Sequence, residues 1–234
     1  LGMGIAHGLA RAGADIIAVS SSQTSEGSEI QALVEGSGRS FVGRSCDFSN
    51  RDDTRDLVDW LASRGTDVDI LVNNAGTARR AAAIEHSDAD WDHVLEVNLN
   101  APFILTRELG RKMVERGQGK VIFVASVLSF QGGYTVPSYT AAKSALAGLT
   151  RALANEWASS GVNVNAIAPG YMETDITKPL RDDPTRSRAI SERIPAGRWG
   201  KPDDLAGPVV FLASSASDYV HGTVLTVDGG WMGR

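Results

Sequence analysis

Residues 121–126 read Val-Ile-Phe-Val-Ala-Ser, a continuous apolar run that ends in a hydroxyl side chain. Such a run is typical of a strand that is buried on both faces of a parallel sheet. Residues 138–160 then show the spacing of a long helix, and residues 162–168 form a second strand-like run. Strand, helix and strand in this order predict a parallel β-α-β unit, in which ligands bind at the carboxyl ends of the strands.

The same alternation extends over the whole chain. Further strands are predicted at residues 15–20, 40–43, 69–72 and 223–227, and helices at residues 26–36, 51–64, 88–116 and 203–213. This order predicts an α/β fold of Rossmann type, a doubly wound parallel sheet in three layers, α/β/α. Residues 1–234 are expected to form a single domain. Residues 171–200 are rich in Arg, Pro and Asp without a clear apolar period, which predicts a lid beside the site.

Composition narrows the class of protein. Apolar residues make up 42% and charged residues 22% of the 234, which is ordinary for a soluble globular protein. The net charge of −5 disfavours binding to nucleic acid or to an anionic membrane. Cys46 is the only cysteine, so no intramolecular disulfide forms, which suits a reducing cytoplasm. The sequence shows no membrane-spanning apolar stretch and no His, Cys or carboxylate cluster that predicts a metal site.

Tyr139 and Lys143 form a Tyr-x-x-x-Lys pair on the predicted helix. Residues four apart lie on one helical face, and a neighbouring cation is expected to lower the pKa of the phenol. A phenol tuned in this way exchanges a proton with a carbonyl or an alcohol. Ser126, at the carboxyl end of the preceding strand, would place a hydroxyl near it. Each residue taken alone also has an ordinary structural explanation, as a surface pair or a helix cap.

Four other features accompany this trio. They are the opening Leu1-Gly2-Met3-Gly4 before a helix, the turn Asn73-Asn74-Ala75-Gly76 after a strand, Asn98 within Glu-Val-Asn-Leu-Asn, and Pro169-Gly170 after a strand. With these motifs in this order, the chain resembles the short-chain dehydrogenase/reductase family over essentially all of its length. The resemblance implies an NAD- or NADP-dependent oxidoreductase that acts on an alcohol or a ketone.

The resemblance also implies a role for each catalytic residue. Tyr139 would be the general acid and base, and Ser126 would hydrogen-bond the substrate oxygen. Lys143 would lower the pKa of the phenol and bind the nicotinamide ribose. Asn98 would hold a water that links Lys143 to solvent, although a buried asparagine also serves as a structural residue at a kink.

The expected cofactor contacts are spread over several loops. They are Leu1, Gly2, Ser20, Asp47, Asn73, Ala75, Gly76, Tyr139, Lys143, Pro169, Gly170, Met172 and Thr174. Asp47 could instead cap a helix, and Asn73 could tie neighbouring strand ends together. Residues 19–22 read Val-Ser-Ser-Ser, with neither an acid for the ribose hydroxyls nor an arginine for a 2′-phosphate. Because no Arg or Lys lies between residues 11 and 39, NAD is favoured over NADP.

Several stretches resemble a subgroup of the family that acts on deoxy-sugar acids of the 2-deoxy-D-gluconate or 2-dehydro-3-deoxy-D-gluconate type. They are Arg79-Arg80, Ser-Phe-Gln-Gly-Gly at 129–133, Arg-Ile-Pro-Ala-Gly-Arg-Trp-Gly at 193–200 and Val-Asp-Gly-Gly-Trp-Met at 227–232. The implied substrate contacts are Ser126, Gln131, Tyr139 and Arg79. An arginine is expected to bind the carboxylate, and the other candidates are Arg80, Arg181, Arg186, Arg188, Arg193 and Arg198.

Three alternatives remain open from the sequence. Gluconate 5-dehydrogenases and 3-oxoacyl thioester reductases share the core motifs, and a nucleotide-binding protein without catalysis would keep the fold. The intact Ser126, Tyr139 and Lys143 set disfavours the last of these, because binding alone needs no proton relay.

Two further expectations come from the resemblance. In the family a first strand and the first glycines of the phosphate-binding loop precede the position of Leu1, so we expect a central strand upstream of this sequence. The closing residues 222–231 and the helix near Asp203 resemble the surface through which the family forms tetramers, so we expect a homotetramer.

Overall fold

The computed structural model describes residues 1–23 and 26–234. The strands are β1 (Ile16–Ser20), β2 (Phe41–Ser45), β3 (Ile70–Asn73), β4 (Gly119–Val124), β5 (Val162–Pro169) and β6 (Val224–Val227). The α-helices are α1 (Gly2–Arg11), α2 (Glu29–Gly36), α3 (Arg51–Ser63), α4 (Asp88–Leu95), α5 (Ala101–Arg116), α6 (Pro137–Trp157), α7 (Lys178–Arg181), α8 (Pro184–Arg193) and α9 (Ala206–Ala213). All pairs of these strands are parallel, which confirms the predicted fold class.

The side chains of β4 alternate between two apolar layers. Ile122 and Val124 pack into the core beneath α1, α2 and α9, whereas Val121 and Phe123 pack into the core beneath α5 and α6. All four side chains are buried, because helices cover both faces of the sheet. The continuous apolar run of β4 is therefore explained by burial on two sides, as its sequence predicts.

The strands form two hydrogen-bonded groups, β1 with β2, and β3, β4, β5 and β6 in that order. Between the groups lies a cavity of about 880 Å³, bordered by β1 and β3 and by the apolar side chains Leu57, Leu61, Leu105 and Leu109. Among the described residues β1 does not pair with β3, so the cavity separates the two groups of strands.

The predicted helix over residues 88–116 is two helices, α4 and α5, separated by a π-helical turn, Glu96–Asn100. The physical reason is Pro102, which has no N–H to donate to the carbonyl of Asn98 in an α-helical ladder. The helix predicted to begin at residue 26 begins at Glu29, because the Ser28 side chain caps it by accepting from the Gln31 N–H.

Residues 171–200 contain two short helices, α7 and α8, rather than an irregular lid. Their apolar side chains Leu180, Ile190 and Ile194 pack with Trp199 and Trp231 in a small cluster apart from the main core. The segment is therefore a packed element beside the carboxyl ends of β4 and β5. Among the helices of the described residues, none has the length and apolar character that crossing a bilayer requires.

Candidate active site

Ser126 lies two residues beyond the end of β4, in extended backbone conformation. Its hydroxyl accepts a hydrogen bond from the Leu128 N–H at 3.1 Å and so caps the short 3-10 helix Val127–Ser129. The same hydroxyl hydrogen-bonds the phenol of Tyr139. The structure therefore shows the capping role of this serine, and its contact with a substrate oxygen stays a prediction.

Lys143 lies on α6, one turn after Tyr139, with its side chain buried. Its Nζ donates to the carbonyl oxygen of Val124 at 2.6 Å and lies 5.6 Å from the centroid of the Tyr139 ring. Burial lowers the pKa of this ammonium to about 8. The ammonium is thus held between the end of β4 and the phenol, as the Tyr-x-x-x-Lys spacing predicts.

The pKa of Tyr139 differs from the expectation. Burial of the phenol raises its pKa above the ordinary value, and this effect outweighs the Ser126 hydrogen bond and the charge of Arg80, which both lower it. The sequence predicts a lowered pKa because it counts only the neighbouring cation. The depth of the phenol below the surface is a tertiary property, and it reverses the direction.

Asn98 is fully buried in the π-helical turn between α4 and α5. Its side-chain amide donates to the carbonyl oxygen of Thr77 and accepts from the Thr77 N–H, each at 2.8 Å. The side chain therefore anchors the loop after β3, which favours the structural explanation. A role in holding a water beside Lys143 stays a prediction.

Gly76 lies where this loop passes the catalytic lysine. A Cβ at this position would lie 3.2 Å from Asn98 Oδ1 and 3.6 Å from Lys143 Nζ. The backbone at Ala75 and Gly76 thus borders a narrow space that a side chain would fill. Such a space suits the close approach of a ribose to the backbone.

The start of α1 offers a second glycine-lined approach. A Cβ at Gly2 would lie 2.9 Å from Asn74 Nδ2, and one at Gly4 would lie 2.5 Å from the Pro202 backbone. Leu1 precedes the helix, and its carbonyl oxygen accepts from the Ile5 N–H at 3.1 Å. The helix amino terminus therefore lies beside the turn after β3, where backbone amides favour a phosphate.

The remaining adenosine-side residues are placed around the ends of β1, β2 and β3. Asn73 donates through Nδ2 to Thr106 Oγ1 at 3.0 Å, while its buried Oδ1 has no hydrogen-bond partner among the described residues. Ser20 ends β1, and its carbonyl oxygen accepts from the Cys46 N–H at 3.1 Å. Asp47 accepts from the N–H and the hydroxyl of Ser49, and these bonds lower the pKa of its carboxyl group.

The structure corrects the helix-cap interpretation of Asp47. Asn50 caps α3, with its side chain accepting from the Asp52 N–H. Asp47 instead closes a turn three residues earlier, and its contact with an adenine stays a prediction.

Pro169 and Gly170 mark the carboxyl end of β5. Gly170 donates its N–H to the Val227 carbonyl oxygen at 3.0 Å, and a Cβ there would lie 2.7 Å from the Cβ of Asp228. Met172 is buried in the main core, so only its backbone is available to a ligand. Thr174 is half-buried, and its hydroxyl lies 3.3 Å from that of Thr177. These residues line the start of the lid segment, as expected.

The two adjacent arginines after this loop point to different neighbours. Arg79 lies 3.4 Å from Asp90 Oδ1 and 3.3 Å from His93 Nε2, so its guanidinium is held against α4. Arg80 has no carboxylate partner within residues 1–23 and 26–234, and its positive charge acts on the phenol of Tyr139. Arg80, and not Arg79, is therefore the arginine whose charge lowers the pKa of Tyr139.

Two residues were missed or underrated at the level of sequence. Tyr171 lies next to Trp231 and Trp199, with ring centroids 4.6 and 5.5 Å apart. Trp231 donates from Nε1 to Oε1 of Gln131 at 3.3 Å. The only sequence signal was the motif around Trp231, which carries no information on which loop the ring contacts.

Comparison with known proteins agrees with this geometry. The family model described as enoyl-(acyl carrier protein) reductase matches residues 1–232. The chain belongs to the short-chain dehydrogenase/reductase family, the NAD(P)-dependent oxidoreductases whose Ser-Tyr-Lys set its site contains.

Three relatives show where in the family the chain falls. It is 58% identical over 234 residues to the 2-dehydro-3-deoxy-D-gluconate 5-dehydrogenase of Pseudoalteromonas atlantica, with 100% of this chain and 92% of that protein covered. A crystal structure from Agrobacterium tumefaciens with bound NADP is 50% identical, with a TM-score of 0.92 and coverage of 100% and 92%. A gluconate 5-dehydrogenase from Burkholderia cenocepacia, in complex with NADP and tartrate, is 37% identical, with a TM-score of 0.90 and coverage of 100% and 91%.

Proposed function

We propose that this protein interconverts a ketone and a secondary alcohol on a deoxy-sugar acid of the 2-dehydro-3-deoxy-D-gluconate or 2-deoxy-D-gluconate type. The observation that carries the proposal is the assembly of Ser126, Tyr139 and Lys143 beside an arginine without a carboxylate partner in the described chain. The identity of 58% to a 2-dehydro-3-deoxy-D-gluconate 5-dehydrogenase supports the choice of substrate.

The proton is handled by Tyr139. Its phenol, bonded to the Ser126 hydroxyl, donates a proton to the substrate oxygen during reduction and takes it back during oxidation. The Ser126 hydroxyl hydrogen-bonds the same oxygen and stabilises the negative charge that develops on it. The Ser126 hydroxyl and the charge of Arg80 both favour the phenolate, and so offset part of the effect of burial. The ammonium of Lys143, 5.6 Å from the ring centroid, is proposed to act in the same direction.

A nicotinamide dinucleotide fits the residues around this site. The space beside Gly76 and the amino terminus of α1 would receive a ribose and a phosphate, and the buried Oδ1 of Asn73 is available as an acceptor. When bound, the cofactor supplies or accepts the hydride. Leu1, Gly2, Ser20, Asp47, Ala75, Pro169, Gly170, Met172 and Thr174 are the other proposed contacts, with Tyr139 and Lys143.

Of the two nicotinamide dinucleotides, NAD and NADP, we propose NAD as the cofactor. Ser20 ends β1 and Ser21 follows it, where hydroxyl groups can bond ribose hydroxyls, and the described residues between Arg11 and Arg39 include no cation for a 2′-phosphate. The solved structures from A. tumefaciens and B. cenocepacia contain NADP, so both cofactors belong in the assay.

The carboxylate of the substrate is assigned to Arg80, with Arg186 of α8 as its neighbour. Partial burial lowers the pKa of the Arg80 guanidinium, and the charge of Arg186 lowers it further. Two cations that approach each other without a carboxylate between them are stabilised by an anionic ligand. Arginine suits a planar carboxylate because it can donate two parallel hydrogen bonds.

The same observations are compatible with a second substrate. The B. cenocepacia structure is of a gluconate 5-dehydrogenase, and its bound tartrate is a hydroxylated carboxylic acid. Gluconate is therefore the alternative to be compared directly, with an acyl ketone as the test of the 3-oxoacyl thioester alternative.

The deciding experiment measures initial rates with NAD and NADP on 2-deoxy-D-gluconate and gluconate, and with the reduced cofactors on 2-dehydro-3-deoxy-D-gluconate and an acyl ketone. The Tyr139→Phe variant, which lacks the acid and base, is expected to lose about 10²- to 10⁴-fold in kcat. Turnover of the deoxy-sugar acids that the variant loses supports the proposal. Turnover of gluconate alone, or of the acyl ketone alone, would mean that this compound and not a deoxy-sugar acid represents the substrate. Cofactor binding without any turnover would favour the non-catalytic alternative.

We further propose that the protein is a homotetramer in a reducing compartment, the cytoplasm. Phe211 of α9 exposes 40% of its surface, and Tyr219, in the turn before β6, is fully exposed. Aromatic side chains exposed on one surface are typical of an interface. The lone cysteine, Cys46, is buried, and burial is the largest of the effects that raise the pKa of its thiol to about 11. A thiol with so high a pKa stays protonated and is inert, which suits a reducing compartment.

A further inference from the structure

Trp231, three residues before the end of the described chain, contacts the loop that follows Ser126. Trp231 is 4% exposed and packs in the cluster of Leu180, Ile190 and Ile194 that the lid segment forms. Its indole Nε1 lies 3.3 Å from Oε1 of Gln131, on the loop that follows Ser126. One side chain therefore contacts both the lid and the catalytic loop.

The chemistry of this contact fixes the orientation of the Gln131 amide. An indole nitrogen can only donate, so the amide atom that faces it must be the carbonyl oxygen. The other end of the amide, Nε2, is then a donor, and it bonds no other residue in the described ranges 1–23 and 26–234. An unconstrained glutamine would instead present its oxygen or its nitrogen to a ligand with little preference.

The indole ring itself is held from two sides. The guanidinium of Arg193 lies over it, 3.9 Å from the ring centroid, and the ring of Tyr171 packs against it with centroids 4.6 Å apart. Gly229 and Gly230 before it adopt left-handed conformations, and a Cβ at Gly230 would lie 2.9 Å from the Pro195 ring. The position of the N–H is therefore set by the lid segment and by a tight turn.

Tyr171 connects this cluster to the catalytic residues. Tyr171 and Tyr139 both raise the pKa of the Arg80 guanidinium. Gln131 lies five residues after Ser126, and its N–H bonds the Val127 carbonyl oxygen at 3.2 Å. On the same loop, the Ser129 hydroxyl donates to the Lys143 carbonyl oxygen at 2.6 Å. The free Nε2 of Gln131 thus lies on a loop that is bonded to the helix of Tyr139 and Lys143.

We propose that Trp231 is a positioning residue for substrate specificity: it holds the amide of Gln131 so that Nε2 donates to a hydroxyl group of the substrate. This inference rests on the proposed function, because a hydroxylated acid offers the acceptor that this donor needs. The residue that recognises the hydroxyl is on the catalytic loop, but the residue that sets its direction is in the carboxyl-terminal tail.

The test is a double-mutant cycle with Trp231→Phe and Gln131→Ala on 2-deoxy-D-gluconate and NAD. Phenylalanine keeps an aromatic ring in the cluster and removes the N–H donor, and the same truncation at Trp199 controls for the lost ring volume. We expect KM for the sugar acid to rise about three- to tenfold in either single variant, with kcat within about twofold, because a hydrogen bond to the bound substrate is lost. In the double variant we expect no further rise, because Trp231 acts through Gln131.

Trp199→Phe is the matched control. Trp199 is also buried against Tyr171 and donates from its indole to Ser191 Oγ at 3.0 Å, but it does not bond Gln131. We expect its KM to stay within about twofold of the wild type. The dissociation constant for NAD, measured by fluorescence without substrate, should be unchanged in all four variants.

Each other outcome contradicts the inference. Equal effects of Trp199→Phe and Trp231→Phe would mean that lid packing, and not the Gln131 amide, determines KM. Additive effects in the double variant would show that the two residues act separately. An unchanged KM in both single variants would show that neither Trp231 nor Gln131 contributes to substrate binding. If the wild type turns over none of the sugar acids, the proposed function fails first, and this inference fails with it.

Discussion

Tyr139 has two cationic neighbours whose charges are placed differently. The ammonium of Lys143 is buried and bonded to the Val124 carbonyl oxygen, whereas the guanidinium of Arg80 is partly exposed and has no carboxylate partner in the described chain. The first cation is a fixed part of the fold, and the second is available to a ligand. At the residue scale, the proposed function therefore assigns the proton chemistry to the first cation and the recognition of the acid to the second.

Arg80→Met and Arg79→Met form a matched pair for this assignment. Arg80→Met removes the cation beside Tyr139, so we expect KM for 2-deoxy-D-gluconate to rise about ten- to a hundredfold. Arg79→Met removes a surface pair with Asp90, and its effect on KM is expected to stay within about threefold. Steady-state rates of the two variants decide which arginine binds the carboxylate. A larger effect of Arg79→Met would assign the carboxylate to Arg79, as the sequence predicts.

Lys143 makes stability depend on pH. Its native pKa of about 8 lies below its ordinary value of 10.5, because burial disfavours the ammonium. Between these two values the unfolded chain binds more protons at this lysine than the native chain does. The free energy of unfolding therefore rises with pH across this window.

The pH effect is measured as a difference between the wild type and Lys143→Met in urea unfolding. From pH 8 to pH 10.5 the wild type is expected to gain up to about 3 kcal/mol relative to the variant. The subtraction removes the titration of the other lysines and tyrosines. A difference that stays constant with pH would show that the native pKa of Lys143 is not lowered.

At the scale of elements, the break between α4 and α5 places Asn98. The sequence predicts one helix over residues 88–116 because its apolar spacing continues across the break. Pro102 was the available signal, since a proline inside a helical pattern removes a hydrogen bond to the residue four positions earlier. That the freed segment forms a π-helical turn, with the Asn98 amide bonded to Thr77, depends on a loop 21 residues away.

The turns before β4 and β5 also depend on each other. Gly161 has φ of 72°, and a Cβ added there would overlap the carbonyl oxygen of Gly117, which itself ends α5. Gly38 has the same φ but open space around it. Substitutions at these two glycines therefore distinguish the free-energy cost of a left-handed backbone from the cost of a close approach to a neighbouring turn.

Gly38→Ala is expected to lower the free energy of unfolding by about 1 kcal/mol, the cost of a left-handed alanine. Gly161→Ala is expected to lower it by about 3 kcal/mol or more, because the turn must also move away from Gly117. Denaturant midpoints of both variants provide the comparison. Equal losses would mean that the turn at Gly161 moves away from Gly117 without a measurable cost in free energy.

At the scale of the whole molecule, the exposed aromatic side chains predict assembly. Phe211 lies in α9, and Tyr219 lies between α9 and β6, each with an exposed side chain. Light scattering at micromolar concentration is expected to give four times the chain mass. Phe211→Glu combined with Tyr219→Glu should shift the protein to smaller species, because two buried charges would oppose association. A wild-type monomer would contradict the tetramer.

The sequence by itself determined the order of strands and helices, the Ser126, Tyr139 and Lys143 set, and the family. These are local properties: apolar period fixes the element type, and four residues fix one helical turn. Only the tertiary structure decided that the charge of Arg80 and not of Arg79 acts on Tyr139, that burial raises the pKa of the phenol, and that Trp231 contacts Gln131. Each of these depends on the distance and burial of groups far apart in the chain, and neither quantity is encoded in residue spacing.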